Sequence, residues 1–164
     1  MLRLRPYQDT DADTILSWPM DEKAFYQWTA GKLGEYPLTK ERFSQLKALT
    51  RFTLLDEKEV AGFFTLRNPT NTPEEVRFGF VIVDPRKRGR GYGKEMLRLG
   101  LKYAFEIYRA KKATLGVFEN NPSAYCCYKA AGFKDVTAEN QETYRILGED
   151  WKCLELITVE EGKK

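Results

Sequence analysis

Arg88-Gly89-Arg90-Gly91-Tyr92-Gly93-Lys94 alternates three glycines with basic and aromatic residues, directly after the apolar run Val81-Ile82-Val83 and the break Asp84-Pro85-Arg86-Lys87. Without a Cβ, such a turn brings main chain close to a ligand and takes φ > 0 at no steric cost. An amphipathic stretch follows, and the free N–H groups and positive dipole end of a helix start point at whatever negative charge lies there. The segment is an anion-binding device that a diphosphate fits. The bland alternative is a tight strand-to-helix turn with a solvated basic run. Two other phosphate loops fit worse. Gly-x-Gly-x-Gly lacks the third glycine of the dinucleotide fingerprint, and Gly93-Lys94 is followed by Glu95, not by the Ser or Thr of a nucleotide-triphosphate loop.

The chain has no histidine, which removes Ser-His and Cys-His nucleophile pairs, an imidazole base and any His-bearing zinc site. No metal is expected. Three cysteines, two adjacent at Cys126 and Cys127, form neither a disulfide framework nor a metal spacing and read as reduced core thiols. A net charge of +3 is too weak to argue for nucleic acid by itself, although Arg86, Lys87, Arg88, Arg90 and Lys94 concentrate it on one turn. No stretch resembles a signal peptide or a membrane span, so a cytoplasmic protein is expected.

At 164 residues, 42% hydrophobic and 31% charged, the chain suits one domain over 1–164 with a full core. Leu2 to Pro6 reads as an edge strand, and Asp11 or Asp13 as the cap of a first helix through Ile15, Leu16 and Trp18. An aromatic-rich loop follows. Thr39 caps a second helix carrying Phe43, Leu46 and Leu49, and Phe52–Leu55 and Val60–Leu66 form a hairpin around Asp56–Glu59. Residues 68–75, with Pro69 and Pro73, read as turns leading to a strand from Val76 to Val83. After the glycine loop, Leu97, Leu101, Ala104, Phe105 and Tyr108 form one helical stripe. Lys112–Phe118 is then a strand parallel to Val76–Val83, since a helix joins them. Asn121-Pro122 starts a helix that stops at Gly132, and Phe133–Val136 and Trp151–Val159 close the sheet. The expected class is α/β (α+β): a mixed, mostly antiparallel central sheet, helices on both faces, one parallel βαβ crossover.

This order, with Arg88-Gly89-Arg90-Gly91-Tyr92-Gly93 and Asn121-x-x-Ala124-x-x-x-Tyr128-x-x-x-Gly132-Phe133, resembles the GNAT superfamily of acetyl-CoA-dependent N-acetyltransferases over nearly the whole chain, more weakly in its N-terminal half. The resemblance implies that acetyl-CoA is the cosubstrate. Its diphosphate would be held by Arg88, Gly89, Arg90, Gly91, Tyr92, Gly93 and Lys94. Arg88 would act mainly through its backbone and stem, with Arg86, Lys87 or Arg90 meeting the remaining charge. The pantetheine arm would lie along Val81, Ile82 and Val83 like an added strand, beside Asn121. Asn121 is equally a plain helix cap.

Tyr128 is by default a core or rim aromatic. The resemblance makes it the residue near the sulfur: its phenol, with an ordinary pKa of about 10, donates to a departing thiolate of about 8.5. The amine would attack directly, and an acyl-cysteine route through Cys126 or Cys127 is disfavoured because no base stands beside them. For the general base the pattern departs from the family, with Arg77 and Gly116 where some members carry glutamate. Glu119, Glu75 and Tyr26 are the remaining candidates, and a water chain serves at least as well, since the amine needs only to lose a proton into solvent. The acceptor would enter over Trp18–Tyr36 and the region of Glu139–Trp151. There Phe25, Tyr26, Trp28 and Tyr36 either cage an amine or, preferably, form local core.

The implied function is acetyl transfer from acetyl-CoA to a primary amine of a small molecule or protein. A homodimer stays open, and neither nucleic acid nor membrane is expected as a partner. The rival reading is a non-catalytic acyl-CoA binding or sensing module on the same fold, favoured by the missing glutamate. A nucleic-acid binder ranks lower still, because the basic footprint is small.

Overall fold

The computed structural model describes residues 1–46, 50–69, 74–137 and 142–160. Leu49, Pro73 and Glu139, which the sequence reading invoked, lie outside the described residues. Strands β1 (Leu2–Pro6), β2 (Thr50–Asp56), β3 (Glu59–Arg67), β4 (Glu75–Val83), β5 (Lys112–Phe118), β6 (Lys134–Asp135), β7 (Glu142–Ile146) and β8 (Glu149–Val159) build one sheet. Its order is β1-β2-β3-β4-β5-β8-β6, with β7 also pairing β8. Among the described residues every pairing is antiparallel except β4 with β5. That single parallel pair is the one that a crossover helix demands.

Successive side chains on a strand face opposite ways, so Phe63 and Phe64 of β3 serve two cores. On one face, α4 (Tyr92–Lys102) and α5 (Pro122–Ala130) cover Phe64, Phe78, Met96, Leu97, Tyr128 and Phe133. Gly100 lets α4 settle: a Cβ there would come within 2.8 Å of the Phe64 and Phe78 rings. The helix continues as a π turn, Tyr103–Ile107. On the other face, α1 (Ala12–Leu16), α2 (Glu22–Thr29) and α3 (Lys40–Ser44) bury Ile15, Trp18, Phe25, Phe43, Phe63 and Ile82 together.

Three expectations are corrected. The aromatic-rich stretch holds α2: Asp21 accepts from Ala24 N at 2.8 Å, Phe25, Trp28 and Thr29 turn inward, and Ala30 in the left-handed region ends the helix. Asp11 occupies the N-cap position of α1, but its side chain makes no capping hydrogen bond there. Its buried carboxylate instead accepts from Arg5 (2.7 and 2.8 Å), Gln8 N (3.0 Å) and Thr53 Oγ1 (2.8 Å), tying the first strand to the second. The closing region has an additional strand, β7, in a hairpin with β8.

Candidate functional site

Strands β4 and β5 pair only from Glu75 with Lys112 to Phe78 with Leu115. Beyond that point β4 stays with β3 and β5 with β8, so the two diverge and open a gap in the sheet. A bulge in β4 widens the divergence. The register against β3 slips between Phe63 and Thr65, and Phe80 takes φ +51, a conformation costing a bulky residue about 1–3 kcal/mol. Trp28 of α2 holds the bulge by donating Nε1–H to the Phe80 carbonyl at 2.8 Å.

A cavity of about 570 Å³ lies on one side of this gap. Its walls are Phe78–Val83 of β4, the glycine loop with the start of α4, and the Asn121–Tyr128 turn and helix. The loop begins with a short 3-10 turn, Pro85–Lys87, capped by Asp84 accepting from Arg86 N. Gly89 and Gly91 have φ +78 and +79, and Gly91 is the left-handed N-cap of α4. A Cβ at either would meet no protein atom within 4 Å, so backbone conformation, not space, demands glycine there. Gly93 is different: a Cβ would press to 2.9 Å from Cys127 Sγ, where α4 meets α5.

The basic cluster divides in two. Arg86 pairs with buried Asp84 at 3.0 Å, and Lys87 with Glu59 at 3.0 Å and Asp56 at 3.4 Å. Arg86 and Lys87, which were expected with Arg90 to meet the remaining phosphate charge, thus have carboxylate partners here, although Lys87 also lines the cavity: hydrogen bonds from Arg86 hold the Asp84 carboxyl below its ordinary pKa, and Glu59 raises that of Lys87. Arg88, Arg90 and Lys94 have no carboxylate partner among the described residues, and Arg88 and Lys94 line the cavity. Tyr92 donates to Asp56 at 2.6 Å, fastening the loop to the β2–β3 turn.

Asn121 caps α5, its Oδ1 accepting from Ala124 N at 3.4 Å. Tyr128, two turns on, is 7% exposed and lines the cavity, and its hydroxyl has no hydrogen-bond partner among the described residues. Burial first, then Cys127, pushes its phenol well above the ordinary value, with Arg88 opposing. It stays protonated at any physiological pH. Burial also raises the Cys127 thiol, which disfavours its thiolate, and Cys126 is exposed rather than the core thiol expected of it. The other proposed residues are less central. Glu119 is 63% exposed, 3.7 Å from Lys152, and lines neither cavity, and Glu75 pairs with Lys112 at 3.0 Å.

A second cavity, about 520 Å³, lies across the gap, between α2, the loop after it, α3, β4, β5 and the β7–β8 hairpin. The two cavities share Gln27 and Trp28, Phe78–Phe80 of β4, and Gly116 and Val117 of β5. Gln27 also bridges the gap, donating to Asn120 Oδ1 (3.1 Å) and O (3.0 Å). The aromatics Phe25, Tyr26 and Tyr36 pack on one another, and only Trp28 of the four faces the cavities. Arg77, at the floor, makes a bidentate pair with Glu155 (2.8 and 3.0 Å) and reaches Thr114 Oγ1 at 3.1 Å. Gly116 seats it: a Cβ there would be 2.9 Å from the guanidinium. The two departures from the expected glutamates are thus one feature, a cation and the space for it. No sequence rule links Arg77 to Glu155, since only the β4-β5-β8 order brings them together.

Residues 12–133 match the family model described as Acetyltransferase (GNAT) family. The spermine/spermidine N(1)-acetyltransferase of Bacillus subtilis is 33% identical over 73 residues, 44% of this chain, and the match spans 48%, about half, of that relative's own length. A crystal structure of spermidine N-acetyltransferase from Vibrio cholerae, in complex with CoA and spermine, superposes with a TM-score of 0.79 over 96% of this chain and 95% of that one, at 21% identity, a likeness of fold. With the family model covering most of the chain, and the splayed β4–β5 pair and glycine loop in place, this chain belongs to the GNAT acetyltransferase family.

Proposed function

We propose that the protein is an acetyl-CoA-dependent N-acetyltransferase acting on a primary amine. The observation that carries the reading is the gap itself. It joins a cavity lined by a glycine-rich helix start to a second cavity on the far side, with a buried, unpartnered phenol in the first. The residues fit the coenzyme: two φ-positive glycines at a helix N-terminus, with Arg88, Arg90 and Lys94 free of carboxylate partners among the described residues, suit a diphosphate, and the β4 edge left unpaired by β5 suits an extended arm. When bound, acetyl-CoA supplies an acetyl group activated as a thioester.

The chain's own residues then have defined work. Gly89, Gly91, Tyr92 and Gly93 offer main chain to the phosphates, and Val81, Ile82 and Val83 offer amides to the arm. One of those N–H groups also favours negative charge developing on the acetyl oxygen. Asn121 fixes the start of α5 and so the place of Tyr128, which hydrogen-bonds the departing sulfur. For the proton lost by the amine, the exposed Glu119 and water remain the candidates, and the second cavity opens a path for water. Relatives named as polyamine acetyltransferases support an amine acceptor.

Isothermal calorimetry with coenzyme A, then thiol release from acetyl-CoA over an amine panel, tests the reading. Binding with turnover of at least one amine supports it, binding without turnover on any amine supports the sensing module, and no binding ends it. A homodimer and a cytoplasmic location belong to the same proposal. Light scattering checks the first, and the mass of a single chain would remove it.

A further inference from the structure

The second cavity has a conspicuous charge balance. Lys32, Arg42, Arg67 and Arg77 all line it, and among the described residues its wall includes no aspartate or glutamate. Two carboxylates stand behind the wall. Glu155 pairs with Arg77, and Glu142, bonded to the Tyr144 hydroxyl at 3.1 Å, offsets part of the charge on Lys32. Arg42 and Arg67 have no carboxylate partner among the described residues. Two of the four cations are seated by glycine: Gly116 clears the space for Arg77, and a Cβ on Gly34 would overlap the Arg42 guanidinium.

Resting on the acetyltransferase reading above, we propose that the acceptor is a small amine that also carries an anionic oxyacid group, a carboxylate or a phosphate, and that Lys32, Arg42 and Arg67 hold that group, with the Glu155-paired Arg77 behind them. Like charges gathered in a partly desolvated cavity repel one another and any polycation, whereas an oxyanion relieves the repulsion and accepts the forked guanidinium donors. Lys32 registers the strain, its pKa lowered by burial first and then by Arg77 and Arg67. Arg67 lies opposite Arg77 in the β3–β4 register, two residues along from the Thr65–Gly79 pair at the mouth of the gap, a rise of roughly 7 Å along a strand. The amine and the oxyanion are therefore separated by a short spacer, as in an amino acid or a phosphorylated ethanolamine. The transfer itself is unchanged: the N–C bond forms, the C–S bond breaks, and the amine proton leaves to solvent.

The test uses the full chain, saturating acetyl-CoA and matched probes: glycine against glycinamide, other amino acids against their amides, O-phosphoethanolamine against ethanolamine, and spermine. The anionic member of at least one pair should show a kcat/KM at least tenfold above its neutral partner, mainly through KM. The pair that responds tells carboxylate from phosphate. Lys32→Glu combined with Arg67→Glu should erase that preference while leaving coenzyme A affinity unchanged. Preference for neutral probes or spermine overturns the proposal and leaves the acetyltransferase standing. So does a coenzyme-loaded protein that neither turns over nor, by saturation-transfer NMR, binds any anionic probe. Failure to bind coenzyme A overturns both.

Discussion

Tyr128→Phe removes one oxygen from the wall of the cavity beside the glycine loop, and the size of its effect follows from where that oxygen sits. The hydroxyl has no protein partner among the described residues, so its loss strands no buried donor or acceptor, and the melting temperature should stay within a degree or two. A general acid can contribute 10²–10⁴ in rate. Here burial lifts the phenol pKa well above its ordinary 10, away from a thiolate near 8.5, so complete proton transfer is uphill by more than about 2 kcal/mol. What remains is a hydrogen bond to a developing anion, worth about 1.5–3 kcal/mol. At 1.36 kcal/mol per decade, kcat should fall roughly ten- to 150-fold. Coenzyme affinity should change less than threefold, because the contact strengthens only as charge reaches the sulfur. Thiol release at saturating acetyl-CoA, with calorimetric Kd measured in parallel, reads both quantities. A kcat within threefold of wild type, or a Kd that worsens as much as kcat falls, would refute the assignment of Tyr128 to the leaving group.

Gly91→Val imposes a β-branched residue at φ +79, a strain of about 1–3 kcal/mol at the N-cap of α4, and should weaken coenzyme A more than tenfold by calorimetry. Arg86→Ala should leave that affinity within twofold, because the side chain serves Asp84, whereas Arg88→Ala and Lys94→Ala should each weaken it several-fold and flatten its salt dependence. At Asp11, burial pulls the pKa up, but hydrogen bonds from Arg5, Gln8 and Thr53 outweigh it, so the folded-state value lies below the unfolded one. The stability this contributes is fully present above about pH 4 and is lost as pH falls through the folded value. Urea midpoints measured from pH 6 down to pH 2.5 should drop more steeply in wild type than in Asp11→Asn.

The features that chemistry needs were legible because they are local. A glycine triplet between an apolar run and an amphipathic helix, and Asn-Pro ahead of a second helix, state their conformations within a few residues. The βαβ unit follows from a helix too long to join antiparallel neighbours. Helix α2 escaped notice because Phe, Tyr, Trp and Thr are weak helix formers and the segment is short; Asp21 as cap with Phe25 and Trp28 three apart was the available signal. The β7 strand hid in a polar alternation that only its pairing with Trp151 and Cys153 on β8 makes a strand.

Thus residue type and spacing alone determined the φ-positive glycine turn, the helix that displays Tyr128 and the parallel crossover, since each depends on dihedral preferences and periodicity over short stretches. Tertiary structure alone decided which basic residues of the loop pair with Asp84, Glu59 and Asp56 and which have no carboxylate partner among the described residues. It also set a paired Arg77 and a vacant Gly116 at the floor of a cationic cavity. Charge pairing acts through space over a few ångströms, and the partners, Arg77 and Glu155 above all, are adjacent only once the strand order is made.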